Sequence, residues 1–155
     1  MMLALDDSLW KDLAGNYSHG GQTAALLRQA ATGADLDIWF EYLVQEICHQ
    51  YTVSEAAYAA LPHMVQLAEA FPAWRLDLLI LAGMCVSYGE GPPAAIAADY
   101  EADFIAAASS ARVMLGDLLS LEQSSEPDAI YLLSALAAFH GFPDLARYIE
   151  AQEWS

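Results

Sequence analysis

Glu46, Cys48, His49 and His63 are the residues whose types and spacing come nearest to chemistry. In "QEICHQ", Glu46 and His49 stand three apart, which on a helix places a carboxylate and an imidazole on one face. That is half of the carboxylate–histidine pattern of di-iron and di-manganese sites in helical bundles. Such a site takes a second Glu-x-x-His from another helix and further carboxylates. None of the other three histidines, His19, His63 and His140, follows a glutamate at that spacing. A small metal-dependent hydrolase or oxidase would have to draw its ligands from Glu46, His49 and His63. Without the second half of the pattern, the expectation is no metal and no cofactor. Cys48 and His49 are neighbours in sequence, so on a helix their side chains diverge by about 100° and do not form a nucleophile–base pair. "GNYSHGG" (Gly15 to Gly21) lacks the Lys-Ser/Thr ending of a phosphate loop, and no Gly-x-Ser-x-Gly elbow occurs. No catalytic residue is assigned.

The elements that must position these residues read as helices throughout. A short helix is expected over Asp6–Leu13, with "DDS" supplying its cap. The glycines of "GNYSHGG" break the chain, and "QTAALLRQAA" reads as a helix that stops at Gly33. From Leu36 the apolar residues fall at Leu36, Trp39, Phe40, Leu43 and Ile47, which is helical spacing. Asp37, Glu41 and Gln45 form the opposite stripe. "HQYTVSE" reads as a turn in which Thr52 or Ser54 caps the next helix, with Glu55 near its start. That helix carries Ala57, Leu61, Met64, Val65, Ala68 and Phe71 on its apolar stripe, and Pro62 in its interior is a kink site. On a helical wheel His49 and His63 fall opposite the stripes of their helices, a face that meets solvent or a partner. Further helices are expected over Ala73–Tyr88, apolar nearly all round and therefore central, over Ala95–Leu121, from Pro127 to a C-cap at Gly141, and from Pro143 onward. The tryptophans Trp10, Trp39, Trp74 and Trp154 are read as packing residues.

Composition narrows the function classes. The chain has 155 residues, enough for a single domain (1–155) with a real core. Its apolar content, 57%, is mostly of helix-forming residues. It carries 21 acidic residues against 5 basic ones, a formal charge of −16. That excess argues against direct binding of nucleic acid or an anionic membrane, which requires lysine and arginine to neutralise phosphates. It suits a basic protein partner, whose encounter rate a negative field raises. The N-terminus lacks the pattern of a signal peptide, and "LDLLILAGMCV" (Leu76 to Val86) is too short to cross a bilayer. Cys48 and Cys85 are far apart in sequence and lie in apolar contexts. The expectation is buried, reduced thiols in a cytoplasmic protein.

Two segments, "WFEYLVQEICHQYTVSEAAYAALPHMVQLAEAFP" and "AIYLLSALAAFHGFPDLARYIEA", resemble bacterial HEAT-repeat-like proteins of the armadillo type. In that group a helix ends in His-Gln plus an aromatic residue or glycine, and the next helix carries an alanine-rich stretch followed by Leu-Pro. The matching positions are His49, Gln50, Tyr51, Ala60, Leu61 and Pro62, with Tyr51 standing where glycine is common. The resemblance implies an all-α fold, a short right-handed α-α superhelix of antiparallel helical hairpins; a compact helical bundle is the alternative. It implies a non-catalytic protein-binding role, that of an immunity or scaffold protein. Residues expected on the binding surface are Asp37, Glu41, His49, His63, Asp99, Glu101 and Asp103. A nucleic-acid mimic whose carboxylates stand in for phosphates is a further alternative. The oligomeric state is not legible.

Overall fold

The structure, a computed structural model, describes residues 1–33, 35–120 and 125–152. The described chain is all-α apart from one small hairpin. Its helices are α1 (Gly20–Ala31), α2 (Leu36–Ile47), α3 (Glu55–Ala70), α4 (Arg75–Tyr88), α5 (Ala94–Leu119), α6 (Glu126–Phe139) and α7 (Pro143–Ala151). The expected first helix is instead a 3-10 turn, Ser8–Asp12, capped by the Asp7 carboxylate, which accepts from the Leu9 N–H at 2.9 Å. Trp154 lies outside the described residues, as does part of "EQSSEPD".

Between α2 and α3 the structure departs from a simple helical turn. Cys48 adopts extended backbone, so α2 ends at Ile47, and β1 (Cys48–His49) pairs antiparallel with β2 (Thr52–Val53). The two connecting residues, Gln50 (φ 47°) and Tyr51 (φ 65°), are both left-handed. Two positive φ values in a two-residue loop give the twist that paired strands require. This is the backbone state that favours glycine. Tyr51 occupies it with its ring against that of Tyr88, centroids 4.5 Å apart.

Consecutive helices pack as pairs: α1 on α2, α3 on α4 and α5 on α6. Each pair then meets the next, through α1–α3 and α3–α5 on one layer and α4–α6 on the other. α7 closes over α6 and α4. α3 and α4 therefore lie in the middle, as the all-round apolarity of α4 leads one to expect. The core runs through the molecule as one cluster, from Trp10 and Trp39 through Leu61 and Leu79 to Leu115 and Phe139. Trp74 is half-buried against Phe40. α4 and α6 approach closely because Gly83 has no Cβ: one built there would stand 2.7 Å from the Ala135 Cβ. α3 continues through Pro62, whose missing N–H leaves the Tyr58 carbonyl without its helical donor. No described helix is long and apolar enough to cross a membrane.

Candidate protein-interaction site

Glu46 and His49 do not share a helix face, because the helix stops between them. Glu46 is only 9% exposed, and its carboxylate faces the "GNYSHGG" loop. It accepts from the Ser18 hydroxyl at 3.1 Å and sits where a Cβ on Gly15 would collide with it. The Asn16 N–H donates to the Glu46 carbonyl at 2.9 Å, and the Asn16 amide donates to the Thr52 carbonyl at 2.8 Å. Ser54 occupies the N-cap position of α3, but its side chain makes no capping bond. The Glu55 carboxylate turns instead to the Ala14 N–H, 2.9 Å away. Ser18 and Asn16 thus fasten the glycine-flanked loop to the α2–α3 corner by three bonds, and Ala14 just before it is held by Glu55.

His63 was expected on an exposed face and is buried, 7% exposed. Its Nε2 donates to the Leu3 carbonyl at 2.8 Å, and its ring lies 6.0 Å from that of Trp10. Burial lowers its pKa from the ordinary histidine value; the bond to Leu3 acts in the opposite sense. A helix flanked by α1, α4 and α5 has no solvent face along its first half: every residue from Ala56 to Leu61 is buried. His49 is half-buried elsewhere, edge-on to Tyr17 at 5.5 Å. Glu46, His49 and His63 thus have separate neighbours. Among the described residues no group of three or more His, Cys, Asp and Glu side chains stands together as metal ligands would.

The acidic residues divide. Asp37 and Glu41 are exposed on α2, and Asp99 and Glu101 are exposed on α5. Asp103 is largely covered and ion-paired with the amino group of Met1 at 3.1 Å, so it is not free surface. α2 and α5 each pack on α3, which places the two acidic stripes on different helices of the stack. The arginines do little to neutralise them. Arg28 donates to the Leu5 carbonyl, Arg75 to those of Ala68 (2.8 Å) and Glu69 (3.1 Å), and Arg112 to that of Phe139 (3.0 Å). Arg147 donates to the Ser87 carbonyl and pairs with the Asp144 carboxylate. Every arginine is thus committed to main-chain oxygen, most of it at helix C-termini, where carbonyls lack intrahelical donors.

Comparison of the chain with protein-family models, with curated proteins and with solved structures finds no match in any of the three. The chemistry of the surface therefore has to be read from its own residues.

Two features escape sequence reading. A cleft of about 430 Å³ opens between the hairpin and the α4–α5 connection, lined by Tyr51, Tyr58, Tyr88, Glu55 and Glu90 among others. The Tyr58 hydroxyl accepts from the Gly91 N–H at 2.8 Å. Burial raises the pKa of Tyr58, and that of Tyr88 further with help from Glu150, so both phenols stay protonated. The second feature is contact between the two cysteine thiols. Neither leaves a local signal, because each joins residues from separate elements.

Proposed function

We propose that this chain is a non-catalytic, acidic helical protein-binding module, an immunity or scaffold protein for a basic partner, with its helical hairpins following a right-handed superhelical path. The observation that carries the reading is the use of its cations. The arginines serve main-chain carbonyls, while Asp37, Glu41, Asp99 and Glu101 remain exposed. The formal charge of the chain is −16, and these four carboxylates carry part of it at the surface. A surface of that sign attracts a basic protein over a distance set by salt and repels nucleic acid and anionic lipid. The immunity or scaffold role rests on the HEAT-like likeness of the α2–α3 and α6–α7 segments, and the cytoplasmic location on the two reduced thiols.

The test is capture from the native host with the immobilised chain, followed by titration of the recovered protein at increasing salt. The expected partner is basic and its affinity falls steadily as salt rises. A partner of neutral or acidic charge, or an affinity indifferent to salt, overturns the reading.

A further inference from the structure

We propose that Cys48 and Cys85 form an oxidation site, at which a hydroperoxide converts the two thiols to an intramolecular disulfide that locks the β1–β2 hairpin onto α4. Cys48 begins β1, and Cys85 lies in the last turns of α4. β1 packs on α4, and the two side chains share one core cluster, 3% and 1% exposed. Cys48 is the buried residue of β1, Tyr51 of the same hairpin rests against Tyr88, one turn beyond Cys85, and the two thiols interact side chain to side chain. They are the only cysteines in the chain, so neither has a competing intramolecular partner.

The two thiols are not equivalent. The bond from Cys85 draws the Cys48 pKa below the ordinary thiol value, against burial and the Glu150 carboxylate, which push it up. The same bond, with burial, pushes Cys85 up. Cys48 is therefore the attacking thiol. It is also the more readily uncovered of the two, because its strand is two residues long and ends in the exposed left-handed turn at Gln50–Tyr51. Lifting that hairpin admits a small oxidant without opening a helix.

The Cys48 thiolate attacks one peroxide oxygen. The O–O bond breaks, and the leaving oxygen departs as hydroxide and takes up the proton that Cys48 lost. Cys48 is now a sulfenic acid. The Cys85 sulfur then attacks the Cys48 sulfur; the S–S bond forms, the S–O bond breaks, and the departing oxygen leaves as water with the Cys85 proton. Two thiols lose two electrons and two protons, and with hydrogen peroxide as the hydroperoxide one molecule of it becomes two waters. The link would enclose all of α3 and most of α4, a loop long enough for its closure to restrict the unfolded chain substantially.

The experiment uses the full, reduced chain treated with stoichiometric hydrogen peroxide, then denatured and alkylated. The expected product has lost two hydrogens, takes up no alkylating agent and yields a cross-linked peptide pair containing Cys48 and Cys85. Its Tm rises by about 10 °C and returns on reduction. Cys85→Ala and Cys48→Ala are each expected to give no cross-linked pair and no rise in Tm on treatment. Two alkylated cysteines after treatment, an oxygen-gain product without a cross-link, or a disulfide joining two chains overturns the proposal.

Discussion

The α2–α3 corner and the α4–α6 seam hold the chain together by opposite means. The corner is irregular and polar: Glu46, Glu55 and Asn16 fasten the loop around Gly15 to two helices and a hairpin. The seam is regular, with Gly83 pressed against Ala135 and the Ser87 hydroxyl turned back on its own helix, donating to the Gly83 carbonyl at 2.9 Å. Polar fastening tolerates local opening, since one bond can break without separating two helices. Close packing does not, because an added atom displaces both helices at once. The seam should therefore govern global stability, and the corner should be where the molecule opens first.

The largest expected effect is at the seam. Gly83→Val puts a Cβ 2.7 Å from that of Ala135, and about 3 kcal/mol of stability should be lost in urea unfolding. Wild-type stability in this variant would refute the tight seam. At the corner, Glu46→Ala removes the acceptor of the Ser18 hydroxyl, at a cost of about 1–2 kcal/mol. Hydrogen exchange should quicken at Gly15 and Asn16 and stay unchanged along α4 and α6. Uniform quickening would erase the distinction between the two regions. Gln50→Gly relieves a left-handed residue whose side chain is exposed, and should stabilise the corner by about 0.5–1 kcal/mol, read as a higher denaturation midpoint.

The smallest effect is a dependence on pH. Burial holds the folded pKa of His63 below its unfolded value of about 6.5. As pH falls through the interval between them, the unfolded chain binds a proton that the folded chain does not, and stability is lost. His63→Gln should lack this component, so its Tm should decline less steeply than that of wild type between pH 7 and pH 5, in round numbers. Parallel declines would show that His63 is not held neutral by burial.

The same contrast explains what the sequence discloses. Helices with one-sided apolar spacing are legible from local pattern: α2 starts at Leu36 as its residues suggest, though it stops at Ile47, short of the expected His49, and Gly33 and Gly141 end their helices with positive φ. α3 is only partly legible. Its alanine-rich first half is covered on every side, so a wheel that assigns His63 an outward face is answering a question that depends on the neighbouring helices. The left-handed turn at Gln50 and Tyr51 is not legible, since neither residue is a glycine. The fastening of Asn16 to Thr52 and the meeting of Cys48 with Cys85 join distant segments and leave no periodic trace. Of the surface residues, Asp37, Glu41, Asp99 and Glu101 are exposed as their positions suggest, whereas His63 and Asp103 are claimed by the N-terminal segment.

The central claim is that exposed carboxylates recognise a basic partner, and charge reversal tests it most directly. The captured partner would be titrated at low and at high salt against wild type, Asp37→Lys/Glu41→Lys and Asp99→Lys/Glu101→Lys. At low salt, reversal on the helix that faces the partner should weaken binding by about tenfold or more, and high salt should shrink that difference. Equal affinity of all three proteins at both salt concentrations would contradict it.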